Sequence, residues 1–235
     1  MSQINPISMQ TASDLENMFS RKSPDSLDID RVSWLRAALS SCEYAEKHMR
    51  SAIRCASPNE LLAHCLSIAP QDGLILEFGV YMGNSIRQIA QRRSDHAIYG
   101  FDSFEGLPEA WRPGFDKGAF ALDELPAVPS NVILIKGWFD NTLPPFVSAA
   151  IEAGKKVSFL HIDCDIYSST VTIFSELRSM IVPGTVILFD EFFNYPMWEM
   201  HEAKAFEEFC ASTGIACEFI GLVAHYQQVA VRVLG

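Results

Sequence analysis

The chain has 235 residues, 49% of them hydrophobic and 20% charged, enough for one globular domain to bury a core without disulfide or zinc staples. Twenty-nine acidic against eighteen basic residues leave a formal charge of −11, and no stretch is densely basic, which argues against nucleic acid as a partner. A cationic small molecule or a metal ion remains admissible.

The first 28 or so residues are polar and read as a loose arm with room for one short helix. No basic region followed by an apolar run occurs from Met1 to Asn17, and no eighteen apolar residues run together. The expectation is therefore a cytoplasmic protein with neither a signal peptide nor a membrane span. From Asp30 to Arg54, the residues Val32, Leu35, Leu39, Tyr44, Met49 and Ile53 keep near-helical spacing with no Gly or Pro, which predicts a helix. Ser57-Pro58-Asn59-Glu60 opens a second, with Ser57 as cap, Pro58 at the first helical position and Glu60 completing a capping box. Residues 1–70 thus form an N-terminal arm and helices that could pack against a second copy of the chain.

Beyond Gly73 the pattern changes to short apolar runs alternating with helical stretches. Strands are expected at Leu74–Val80, Ala97–Phe101, Val132–Lys136, Val157–Asp163, Thr185–Phe189, Ala216–Val223 and Val229–Leu234. Helices are expected at Ser85–Arg93, Pro145–Ala153, Ser168–Met180 and Glu202–Thr213. Apolar strands alternating with helices predict a doubly wound, mostly parallel seven-stranded α/β sheet over residues 71–235. The four residues His225 to Gln228 cannot hold a crossover helix, so the last strand should be antiparallel. The six cysteines form no CxxC and sit in apolar stretches, which suits buried reduced thiols.

Glu105 to Asn131 breaks the pattern, with four prolines, three glycines, Trp111, Phe115 and Phe120 and no sustained period. A structureless stretch of this length inside a compact domain suits a lid, or else a plain surface loop.

Three places carry chemistry. Glu77-Phe78-Gly79-Val80-Tyr81-Met82-Gly83-Asn84-Ser85 occupies the first strand-to-helix turn, where glycines admit a ligand against the backbone. Asp102 ends the second strand nineteen residues past Gly83, where an acid can accept hydrogen bonds from ribose hydroxyls or be a solvated turn residue. The third glycine of the dinucleotide fingerprint is missing, which counts against a nicotinamide cofactor.

Asp163 and Asp165 end the fourth strand, and Asp190 and Glu191 the fifth. If these strands are neighbours, the carboxylates gather at one edge, and a cation or shared protons must offset their repulsion. Oxygen donors suit Mg²⁺, Mn²⁺ or Ca²⁺; helix capping is the other use for such acids. His161, inside a strand, reads as a satisfied core histidine, and His225 as a turn residue within reach of the sheet top. Phe192 to Trp198 is either core packing or an aromatic wall beside the acids.

Together, Glu77-Phe-Gly-Val-Tyr-Met-Gly83, Phe101-Asp-Ser-Phe-Glu-Gly-Leu-Pro108, Lys136-Gly-Trp-Phe139 with Leu143-Pro144, His161-Ile-Asp-Cys-Asp165-Ile-Tyr167 and Phe189-Asp-Glu191 resemble the macrocin-type O-methyltransferases, which methylate sugar hydroxyls of antibiotics. The resemblance runs from about Gly73 to the C-terminus. It implies a Rossmann-like class I methyltransferase fold that binds S-adenosylmethionine, a small-molecule acceptor and a divalent metal, Mg²⁺ or Mn²⁺. By position it places Glu77, Gly79, Tyr81, Gly83 and Ser85 in the cofactor loop and Asp102 at the ribose, with Ser103 beside it. Gly137, Trp138 and Phe139 fall near the adenine. Asp163, Asp190 and Glu191 match the metal positions, and Asp163 also the general base; Glu191 stands where the family pattern leads one to expect aspartate. Two other readings stay open, a nicotinamide-dependent oxidoreductase on the same fold and a non-catalytic binder of S-adenosylmethionine.

Overall fold

Five consecutive buried residues, Leu74–Phe78, form a strand that packs apolar side chains on both faces. A strand hidden on both sides belongs in the middle of a parallel sheet covered by helices. A computed structural model describes residues 28–234; the arm expected before them lies outside the described residues.

The elements in chain order are α1 (Ile29–His48), β1 (Ile53–Arg54), α2 (Pro58–Ile68), β2 (Leu74–Phe78), α3 (Asn84–Arg92), β3 (Ile98–Asp102) and β4 (Val132–Lys136). Then follow α4 (Phe139–Glu152), β5 (Val157–Ile162), α5 (Tyr167–Leu177), β6 (Val186–Phe189), a 3₁₀ turn (Trp198–Met200), α6 (Glu202–Thr213), β7 (Cys217–Leu222) and β8 (Val229–Val233). The strands form one sheet in the order β1-β7-β8-β6-β5-β2-β3-β4. Every pairing is parallel except those of β8 with β6 and β7, as the short link before the last strand requires. Among the described residues no helix is long and apolar enough to cross a membrane.

The eighth strand is the first difference from the sequence reading. The helix expected to run to Arg54 stops at His48, and Ile53 and Arg54 pair with Gly221 and Leu222 at the sheet edge. Helical spacing continues through Ile53, but edge hydrogen bonds to β7 decide its conformation. The fourth expected helix starts earlier, at Phe139, and carries Pro144 and Pro145 inside it. The capping box at α2 forms with a shift: Glu60 N–H donates to Ser57 Oγ at 3.2 Å, while the Glu60 carboxylate accepts from Ala56 N–H at 2.7 Å. The cysteines are all free, but only Cys55, Cys65 and Cys164 are buried; Cys42 is exposed and Cys210 and Cys217 are half-buried.

Helices cover both faces. Leu76, Phe78, Leu160 and Ile162 pack on one side with α4, α5 and α6, while Ile75, Phe159 and Leu188 pack on the other with α2 and α3. The chain runs β2-β3-β4 outward in one direction, then returns to β5 and β6 on the other side of β2. The connection reverses between β2 and β5, and open sheets of this kind bind ligands beyond the carboxyl ends of the strands at that reversal.

There the two strand ends meet without space between them. Gly79 has φ +89°, and a Cβ placed on it would lie 1.6 Å from the carbonyl oxygen of Asp163. Gly79→Ala is therefore expected to cost about 3 kcal/mol or more, since it combines a left-handed backbone with overlap onto a fixed carbonyl. Chemical denaturation should show the loss, whereas Gly154→Ala, with nothing within 4 Å of its Cβ position, should show only the smaller backbone cost.

Candidate functional site

The turn after β2 is held by the acid that ends β3. Asp102 Oδ2 accepts from Val80 N–H and Tyr81 N–H, both at 2.8 Å, and Oδ1 accepts from Phe104 N–H at 2.7 Å. Its carbonyl also accepts from Gly137 N–H at 2.9 Å, tying the end of β4 to the same point. Asp102 is thus more than a solvated turn residue. It braces the glycine turn, and most of its acceptor capacity is already used.

Glu77 lies one layer deeper. It is fully buried and accepts from Ser85 Oγ at 3.0 Å, while its other oxygen lies 3.2 Å from His161 Nδ1. The register sets Glu77 beside His161 and Phe78 beside Ile162, and Ile162 beside Phe189, so Gly79, Asp163 and Asp190 emerge together at the strand ends.

Above these ends lies a cavity of about 520 Å³, lined among others by Gly79, Tyr81, Asp102, Ser103, Gly137, Trp138, Phe139, Asp163, Asp165 and Glu191. The long loop adds Leu107, Trp111, Arg112, Phe115 and Phe120 to the wall, and α5 adds Ser168, Ser169 and Thr172. The loop is clasped across the opening by Ser168 Oγ on α5, which donates to Glu109 Oε1 at 2.7 Å. The cavity has two halves: an aromatic one at Trp138 and Phe139, and an acidic one at Asp163, Asp165 and Glu191.

Residues 76–192 match the model of a family described as a methyltransferase domain. A curated relative from Streptomyces olivaceus, named 8-demethyl-8-(2,3-dimethoxy-α-L-rhamnosyl)-tetracenomycin-C 4′-O-methyltransferase, is 25% identical over 56% of this chain and 58% of its own length. The match thus spans somewhat over half of that relative. Among solved structures, the calicheamicin methyltransferase CalS11 aligns with a TM-score of 0.58 and 19% identity, over 97% of this chain and 87% of its own. The O-methyltransferase NovP aligns with a TM-score of 0.55 and 22% identity, over 75% and 79%. At such identities these two show the shared fold.

The acids fall into two groups that meet at Asp190 and Glu191. In the first, His161, Asp163 and Asp190 each offer a ligand-type atom, all within 4.8 Å of one another. Burial and the adjacent Asp190 charge push the Asp163 carboxyl well above its ordinary range. Burial works against charge at His161 and Asp190 as well, but their mutual attraction, with Glu77 on the far side of the ring, holds His161 up and Asp190 down. In the second group, burial pushes Asp165 up to about 7 against the pull of Arg112. Burial and the charges of Asp190 and Asp165 push Glu191 well above its ordinary range. Glu202, fully buried at the start of α6, is raised likewise by burial and by Asp165, while accepting from Glu191 N–H at 3.2 Å.

Of the residues singled out in the sequence, Glu77, Gly83, Ser85 and Asp190 do not line the cavity. Gly83 turns the chain into α3 at φ 77°, and Glu77 and Ser85 bond to each other. In the stretch Phe192 to Trp198, Phe192, Phe193, Tyr195 and Trp198 are buried in the core and none of them lines the cavity, whereas Met197 is exposed. His225 lies tilted against Tyr226 with ring centres 4.9 Å apart and is not among the residues that line the cavity.

The residue that sequence reasoning passed over is Arg112. Its guanidinium lies 3.8 Å from the Trp111 ring centre and 5.3 Å from that of Tyr195, a cation held by aromatic faces. Its Nη1, the Trp111 Nε1, the Glu191 Oε2 and the Glu202 Oε1 are buried without a hydrogen-bond partner in the protein. A lone arginine in an aperiodic stretch gives no periodic signal, and only the fold brings it over the acids.

The brace at Asp102 is testable. Asp102→Ala removes three acceptor interactions and should cost about 2–3 kcal/mol of stability, discounted because water reaches this turn. Asp102→Asn keeps one acceptor oxygen and should lose about half as much. Equal melting temperatures for all three proteins would refute the brace.

Proposed function

We propose that the protein is an S-adenosylmethionine-dependent O-methyltransferase acting on a hydroxyl of a small molecule, with a sugar of a natural product as the acceptor class. One observation carries the reading: at the reversal of the sheet, a single cavity joins the glycine turn and the aromatic half to a buried carboxylate, Asp163. The methyltransferase-domain match over 76–192 supports this cofactor over a nicotinamide. The relative from Streptomyces olivaceus, named for a rhamnosyl-bearing acceptor, supports the acceptor class. The acidic half speaks against a protein that only binds the cofactor, because that task needs no buried carboxylates on the acceptor side.

Bound S-adenosylmethionine supplies an electrophilic methyl group on a sulfonium cation. In this reading Gly79 and Tyr81 hold the methionine part, while Asp102 acts on the ribose both through its remaining acceptor capacity and by fixing the turn. Trp138 and Phe139 flank the adenine, Gly137 gives the backbone room beside them, and Ser103 keeps the loop start in place by accepting from Glu105 N–H at 3.0 Å. Glu77, Ser85 and Gly83 support this surface from behind. Asp163 takes the proton of the acceptor hydroxyl, and its raised carboxyl makes it a stronger base than an exposed aspartate. The loop 105–131 acts as the lid that excludes water, with 1–70 as the N-terminal arm and helices.

A divalent cation, Mg²⁺ or Mn²⁺, would make the acceptor proton easier to lose. Asp163 and Asp190 fit that task as hard oxygen donors close together, whereas Glu191 is not one of the three grouped donors. The exposed Ile29, Val32, Trp34 and Leu39 of α1 support self-association through the N-terminal helices.

Calorimetry tests the cofactor reading directly. S-adenosylhomocysteine should bind at low-micromolar Kd or tighter, about −8 kcal/mol, and NAD should give no heat. Binding of NAD alone would overturn the assignment.

A further inference from the structure

The Arg112 guanidinium has no acceptor in the protein. It forms no ion pair among the described residues, and its Nη1 is buried without a hydrogen-bond partner. The neighbouring Trp111 Nε1 is orphaned in the same way. Buried donors of this kind carry a desolvation cost that a partner normally offsets. Both side chains line the cavity, and among the described residues Arg112 is the only basic one that does.

We propose that Arg112 and Trp111 form a subsite for a negatively charged group on the acceptor, a carboxylate or a phosphate, so that the acceptor is an anionic rather than a neutral sugar. The proposal deepens the O-methyltransferase reading above and rests on it.

The geometry holds the cation ready. The guanidinium carbon lies 3.8 Å from the ring centre of Trp111, 5.1 Å from that of Phe115, 5.3 Å from Tyr195 and 5.9 Å from Trp34 on α1. Aromatic faces fix a guanidinium in place but take up none of its hydrogen bonds through an acceptor oxygen. The nearby acids do not fill that role either. Glu191 and Asp165 act on Arg112 through their charge, yet neither pairs with it. A ligand oxygen in contact would bind the guanidinium more strongly than either acid does, because the attraction falls with separation. Those two acids also belong to the acidic half of the cavity, which puts the subsite on the acceptor side.

Charge, and not only hydrogen bonding, is what the site lacks. Burial works against the Arg112 charge, and the rings offset only part of that cost. A sugar hydroxyl would satisfy the two donors but leave the cation unpaired. A carboxylate or phosphate brings several acceptor oxygens and the opposite charge, and hydrogen bonds between ionised partners are the stronger kind.

The test is calorimetry on the full chain saturated with S-adenosylhomocysteine, using two matched pairs of probes: L-rhamnose with L-rhamnose 1-phosphate, and D-glucose with D-glucuronate. Within at least one pair the charged sugar should bind about tenfold tighter or more than its neutral twin, the size of one charge-assisted hydrogen bond. The pair that shows it tells phosphate from carboxylate. Arg112→Gln should bring the twins within about twofold of each other, whereas Arg112→Lys, which keeps the charge without the planar fork, should keep part of the preference. Trp111→Phe keeps a ring face and loses the N–H, so it should weaken the charged sugar about threefold or more and leave the neutral one unchanged.

Melting temperature and S-adenosylhomocysteine binding check that each variant is folded. The proposal falls if neither charged sugar is preferred, or if none of the four probes binds at millimolar concentration. It falls equally if the preference survives Arg112→Gln or, should that variant not fold, if Trp111→Phe leaves the preference whole. It also falls if Arg112→Gln weakens S-adenosylhomocysteine as much as the charged sugar, since the anion held would then be the cofactor's own carboxylate. Failure of the unaltered protein to bind S-adenosylhomocysteine would instead sink the cofactor reading, and the same pairs measured without it would still decide the subsite.

Discussion

The contact of Gly79 with the Asp163 carbonyl sets the position of everything else at this site. At 1.6 Å from that oxygen, a Cβ on Gly79 has no place to go, so the ends of β2 and β5 can approach only because residue 79 has no side chain. That approach puts the glycine turn and Asp163 side by side in the lining of one cavity. Asp102 then fixes the turn from the β3 side through three backbone N–H groups, and Gly137 N–H bonds to the Asp102 carbonyl at 2.9 Å. Three strand ends are thereby locked together, and a rigid frame of this kind lets bound groups be held in reacting positions.

Burying acids under this frame has an electrostatic cost, and the protein meets it in two ways. Around Asp163 and Asp190 the compensation is His161, itself set between Glu77 and Asp190. Around Asp165, Glu191 and Glu202 it is Arg112 together with the raised carboxyl values that favour protonated, neutral forms. A positive partner and a shift toward the neutral acid are two remedies open to crowded carboxylates, and the second group has both in Arg112 and its raised carboxyls. The loop contributes more than a cover, because it delivers the arginine that balances the second group.

Much of the architecture was legible in the chain itself. Alternation of buried strands and helices from Leu74 onward, the short link before β8 and the capping box at Ser57 are local patterns, and local patterns survive folding when nothing opposes them. The motif positions were equally legible: Gly79, Asp102, Asp163 and Asp190 stand at strand ends because parallel strands expose their carboxyl ends together. Where tertiary pairing competed with local preference, it won. Ile53 and Arg54 left the expected helix to pair with β7.

The partners of each side chain were decided only in three dimensions. Asp102 looks in sequence like a ligand acid, and only its neighbours across 21 and 22 residues show that it also braces the turn. His161 looks like a core histidine, and whether it faces apolar packing or carboxylates depends on strands 84 residues apart coming into register. Glu191 and Asp190 are adjacent in the chain, and the fold surrounds the pair with further carboxyls from Asp163, Asp165 and Glu202. Residue types and spacing determine which elements form and where chemistry can gather. Hydrogen-bond partners, burial and the charge each acid carries depend on contacts between distant segments, and those exist only in the folded protein.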